Sequence, residues 1–175
     1  MTSRLPWRRA SIPTDLRKRV PLRSGQKILG WSWLPGEGWA VATGDELMVM
    51  ATDAGTDAEP LRLPWHLVTT GVWADGALDV IAAQKPGGPQ EQYRFEIDEE
   101  GLLAEAVHTL VTGSILWSGR MDDKPLAAAV FTARRDPSGH PTWSVVFDRG
   151  FDASDPELRA WADERIARLR EQTGL

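Results

Sequence analysis

From Lys27 onward, short apolar runs alternate with a period of two and are cut by glycine- and proline-bearing turns; seven of the nine tryptophans fall inside those runs. Side chains that alternate between two faces suit strands and not helices. Indole rings bury on the order of 200 Å² each, so at this density they fill a small β core or cover its ends. The chain of 175 residues has no cysteine. Disulfides, thiol catalysis and thiolate zinc sites are therefore excluded, and burial and hydrogen bonding must hold the fold.

Gln26–Leu34 places Leu29, Trp31 and Trp33 on one face, and Pro35-Gly36-Glu37-Gly38 turns the chain into Trp39, Val41 and Thr43. Gly44-Asp45 leads into Glu46–Ala51, a polar loop covers Thr52–Glu59, and Pro60–Trp65 is a strand that Pro64 consigns to an edge or a bulge, because proline donates nothing to a ladder. Leu67–Trp73 and the run from Leu78 to Ile81 flank Asp75-Gly76, a pair suited to a tight hairpin because both residues tolerate positive φ. After the loop Lys85–Gln90, the alternation of Tyr93, Phe95 and Ile97 with Arg94 and Glu96 requires one wet face. Asp98-Glu99-Glu100 then precede Leu102, Leu103, Ala106, Val107 and Leu110, a helical spacing with acids at its positive end, stopping near Gly113.

Three further strands are expected at Ser114–Arg120, Leu126–Arg135 and Pro141–Asp148, the last two joined by the turn Asp136-Pro137-Ser138-Gly139. A closing helix starts with Ser154 as N-cap, Pro156 early and Glu157 as capping-box acid; it carries the stripe Leu158, Trp161, Ala162, Ile166 and Leu169, pairs Glu164 with Arg168, and stops at Gly174. The expected fold class is mostly β with α (α+β). Residues 1–24 form a basic extended arm, 25–112 a seven-stranded antiparallel barrel with its closing helix, and 113–175 a three-stranded extension whose C-terminal helix packs with it on the barrel.

Seven strands in a meander closed by an amphipathic helix resemble a pleckstrin-homology-like barrel. In addition, Arg19-Val20-Pro21-Leu22, Arg62-Leu63-Pro64-Trp65-His66 and Trp143–Asp148 resemble segments of an actinobacterial protein family. The arginine-, alanine- and glycine-rich composition fits a GC-rich bacterial genome. The first resemblance implies an open-ended barrel plugged by a helix; the second implies no activity. In eukaryotic relatives of the barrel, cations between the first two strands hold phosphoinositides, whereas here Pro35-Gly36-Glu37-Gly38 is short and carries an acid.

Charge is distributed unevenly. Residues 1–27 hold eight cations, among them Arg4, Arg8, Arg9, Arg17, Lys18, Arg19 and Arg23, against the single acid Asp15; they are net +7, and the remainder is net −12. Such an arm, extended by Pro6, Pro13 and Pro21, either lies back on its own domain or reaches for nucleic acid or an anionic membrane. Nucleic-acid binding by the acidic barrel itself is disfavoured. No run approaches the roughly 18 apolar residues of a transmembrane span, so a cytoplasmic protein is expected.

Candidate chemistry is sparse. His66, His108 and His140 have no partner at ligand spacing, so no metal or cofactor is expected. Ser114, Ser118 and Ser144 lack the strained turn of a catalytic serine, the acid pairs read as solvated loops, and the glycine clusters are turns. The leading expectation is a non-enzymatic interaction module with a protein or peptide partner, using Trp31, Trp33 and Trp65 as a partner surface and the sheet edge near Pro60–Trp65 for strand addition. The alternatives are a small-molecule or weakly enzymatic pocket between barrel and extension, with His66 and Arg120 as its polar groups, and tethering by the basic arm. Oligomeric state is left open.

Overall fold

The computed structural model describes residues 11–51, 59–86, 88–97, 102–123 and 127–175. Trp7 and the arm cations Arg4, Arg8 and Arg9 lie outside the described residues, as do most of the loop at 52–58 and the expected helix-start acids Asp98, Glu99 and Glu100.

The chain is α+β, mostly strand, and every sheet is antiparallel. After helix α1 (Thr14–Arg19), β1 (Ile28–Leu34), β2 (Gly38–Thr43), β3 (Glu46–Ala51) and β4 (Leu61–Pro64) form one sheet in sequence order. A 3-10 turn at Trp65–Leu67 then delivers the chain to a second sheet of β5 (Val68–Ala74), β6 (Ala77–Ala83) and β7 (Gln90–Glu96). The β5–β6 hairpin turns on Asp75 and Gly76, whose φ values of 52° and 74° are the left-handed pair expected of Asp-Gly. No ladder joins the two sheets among the described residues, so the seven strands do not make a closed barrel.

Helix α2 (Leu103–Gly113) lies across β1 and β5, the first strand of each sheet. Two glycines permit this close approach. A Cβ on Gly30 would stand 2.7 Å from Ala106 Cβ and 2.8 Å from the Leu102 carbonyl, and one on Gly71 would stand 2.7 Å from a Val107 methyl. Leu103, Val107 and Val111 of α2 close a core shared with Leu34, Leu47, Leu63, Trp65, Leu78, Val80 and Phe95. The outer face of β7 is wet, as its alternation requires: Arg94 pairs there with Asp79 at 2.7 Å.

The first sheet, in contrast, is buried on both faces, and the cover comes from the segment expected to be extended. Thr14–Arg19 is helical, begins after Pro13 (φ −53°), and buries Leu16 completely. Leu16 and Val20, one turn apart, form a stripe that packs with Trp31, Val41, Met48 and Met50 on the sheet's outer face. Burial of that stripe stabilises a helix too short to persist alone. The prolines at 13 and 21 therefore bracket the helix and do not extend the arm.

The remaining strands, β8 (Ile115–Asp123), β9 (Ala127–Arg135) and β10 (Pro141–Phe147), form a third sheet with β9 central. Helix α3 (Pro156–Thr173) covers one of its faces, placing Leu158, Trp161 and Leu169 against Phe131 and Trp143; the Phe131 and Trp161 ring centres are 5.5 Å apart. Its N-cap is Asp155, not Ser154: the Asp155 carboxylate accepts from the Glu157 amide, while Ser154 is turned toward Asp152. Gly174, with φ 72°, ends the helix.

Candidate functional site

Of the residues singled out in the sequence, Trp65 is the clearest correction. It is 3% exposed within the core of the two sheets, and its indole nitrogen donates to the Thr43 carbonyl at 2.9 Å. A ring so placed anchors the 3-10 turn and presents no surface to a partner. Trp31 is likewise buried, beneath α1, whereas Trp33 remains half-buried. Both meet Trp39 edge to face, at 5.6 and 4.9 Å between ring centres. The expected common face of Leu29, Trp31 and Trp33 is broken by a bulge between Ile28 and Gly30, which leaves Leu29 51% exposed.

His66 and Arg120 do not share a pocket. Arg120 stands opposite Val130 in the third sheet, where its exposed guanidinium grips both oxygens of Asp148. His66 instead lies toward Asp136, just beyond the end of β9, some six residues or about 20 Å farther along that strand. Its Nδ1 is buried without a hydrogen-bond partner, and burial lowers the imidazole pKa from its ordinary 6.5 more than the Asp136 charge raises it. Asp136 is itself occupied: its carboxylate accepts from the Ser138 hydroxyl and, in an Asx turn, from the amides of His140 and Ser138, which holds its carboxyl below the usual range.

The residue that does join the two halves was not singled out in the sequence. Arg134 on β9 is 3% exposed, with no carboxylate on it among the described residues. Its guanidinium donates to the Val111 carbonyl (2.6 Å) and the Ser114 hydroxyl (2.7 Å) at the C-terminal end of α2, and to the Thr69 carbonyl of β5 (3.0 Å). The negative end of the α2 dipole and two fixed carbonyls thus take the place of a counter-ion. Desolvation still pulls the group below its ordinary pKa. Nothing in Ala133-Arg134-Arg135 distinguishes the buried arginine from its exposed neighbour except strand parity, since Arg134 shares its face with Ala128, Val130 and Thr132.

Open surface of a different kind lies at the hairpin end of β5. This is an edge strand, and Val72 and Trp73 are 51% and 43% exposed. Trp73 pairs with the buried Leu78 and so belongs to the core-facing side, at a rim α2 does not cover; Val72 pairs with Asp79 on the outer face. The hairpin that follows lines a cleft of about 430 Å³ together with Pro35 after β1 and Arg94, Glu96 and Ile97 at the end of β7. Asp75 and Glu96 make its rim acidic, and Arg94 is already engaged by Asp79. By comparison, β4, the edge expected to accept an added strand, is only four residues long, ends in Pro64, and has Arg62 tied to Glu46. Among the described residues no three histidines or acids converge to hold a metal, and no helix is long and apolar enough to cross a membrane. No family model, curated protein or solved structure matches the chain.

Proposed function

We propose that residues 25–112 are a pleckstrin-homology-like frame and that the chain is a non-enzymatic interaction module, taking up an extended peptide of basic and apolar character along β5. The frame reading is supported by the strand order, four then three, and by the helix laid over the first strand of each sheet. The observation that carries the binding reading is the pairing of an exposed aromatic edge with an acidic cleft: Val72 and Trp73 on β5 run directly into the hairpin whose Asp75 lines the cleft with Glu96. Edge backbone supplies the hydrogen bonds of an added strand, a large exposed ring supplies desolvation energy, and the acids select a cationic side chain.

The test is selection of displayed random peptides against the full chain. Enriched sequences should alternate apolar with basic residues, and Trp73→Ala should weaken their binding by about tenfold, a typical loss for an aromatic anchor. Peptides that bind Trp73→Ala as tightly as the parent protein would refute the reading.

A further inference from the structure

Helix α1 has two chemically distinct sides. Leu16 and Val20 are buried against the first sheet, while Arg17, Lys18 and Arg19 are exposed. The turn that follows adds the exposed cations Arg23 and Lys27, so five positive charges stand over residues 11–29 against Asp15 alone. Arg19 also donates to the Ala51 carbonyl at 2.6 Å, which fixes the helix to the end of β3. Leu29, exposed on the β1 bulge, follows Lys27 by two residues, and Ile28 beside it packs into the cluster beneath α1. The half-buried Trp39 packs at the margin of the same cluster, in contact with Trp33.

We infer that this face is a docking surface for an anionic lipid bilayer, with α1 lying flat on the headgroups and Leu29 entering the acyl boundary. Charge complementarity supports an anionic partner. The exposed leucine selects a bilayer over a nucleic acid, because an apolar side chain gains by entering the interface and gains nothing from a phosphate backbone. The net −12 of the rest of the chain then sets orientation: at physiological salt, fields are screened within about 8 Å, so only the face that touches the membrane counts. The surface is separate from the β5 cleft and from the β1–β2 turn with its acid Glu37, and it stands or falls independently of peptide binding.

The experiment is flotation of the full chain with vesicles of phosphatidylcholine alone or with added phosphatidylserine. Binding is expected only where phosphatidylserine is present and should disappear as salt rises from roughly 50 to 500 mM. Replacing Arg17 and Lys18 together by alanine, a substitution that leaves the helix intact, should lower partitioning about 25-fold, or about fivefold per cation. Leu29→Ser should lower it further with the urea midpoint unchanged, and Trp73→Ala should not alter it. The inference is overturned by equal binding to both vesicle types, by no binding, by partitioning that ignores the Arg17/Lys18 replacement or Leu29→Ser, or by capture of duplex DNA in place of vesicles.

Discussion

The first sheet and the second are each clamped by a neighbouring element, and the two clamps are built from opposite chemistry. On the first sheet the clamp is apolar: Leu16 and Val20 of α1 against Trp31, Val41, Met48 and Met50, with Arg19 as a single tether at the end of β3. On the second sheet, beyond the apolar core it shares with α2, it is polar: Arg134 reaches from the third sheet to the Thr69 carbonyl and the last turn of α2, while the half-buried His66 lies toward Asp136. An apolar clamp draws its energy from area, tolerates changes of shape and ignores pH. A polar clamp fixes register, because each donor must meet its acceptor, and it carries the cost of burying charge. Among the described residues, no element covers the outer face of β6 and β7, where Arg94 pairs with Asp79 at the surface.

The largest effect expected from breaking this contrast is on the apolar side. Leu16→Ala removes a fully buried leucine and should cost about 3 kcal/mol, read as a lower urea midpoint, while Leu16→Met, which keeps the volume, should cost less than about 1 kcal/mol. If the two substitutions cost the same, the clamp is not held by packing. On the polar side, Arg134→Lys keeps the charge but loses the fork that reaches Val111, Ser114 and Thr69 at once, so it should cost about 2 kcal/mol by orphaning buried acceptors. A lysine that is tolerated would mean charge matters there and geometry does not.

The pH dependence separates the clamps. His66 has its pKa lowered in the folded state, so the unfolded chain binds the proton more readily. Its contribution to stability is full above the ordinary value of 6.5, falls as pH drops from there toward the lower folded value, and levels off beneath it. Equilibrium unfolding at a series of pH values should show that slope in the parent and in Leu16→Ala, and lose it in His66→Gln; a slope that survives His66→Gln would assign it to another group. The smallest effect belongs to the uncovered face, where Arg94→Ala should change stability by about 0.5 kcal/mol and less at high salt.

Much of the secondary structure was legible because its signals are local. Glu46–Ala51 is a strand with the bounds its alternation gave, Asp75-Gly76 turns the hairpin with both residues at positive φ, and Gly174 stops α3. Where local signals compete they mislead: Pro13 and Pro21 argue for an extended arm, yet the leucine and valine between them find a sheet face to cover. The neighbouring clue was present in Ala40-Val41-Ala42 and Leu47-Met48-Val49-Met50, apolar at both parities, which marks a sheet covered on both sides. For the candidate surfaces, Trp73 looked like any other strand tryptophan; only the reach of α2 leaves its ring at an open rim. Trp65 shows the converse: its adjacent Pro64 suggests an edge, while its own ring turns inward to Thr43.

By itself, then, the sequence determined what nearest neighbours decide: a run of antiparallel strands, their turns, two amphipathic helices, and a chain basic at one end and acidic elsewhere. The tertiary structure alone decided which faces are covered. Period and turn chemistry fix how a strand presents its side chains, but whether a face meets water, a helix or another sheet depends on elements far away in the chain. Arg134 is buried because Val111 and Thr69, 23 and 65 residues distant, supply its acceptors.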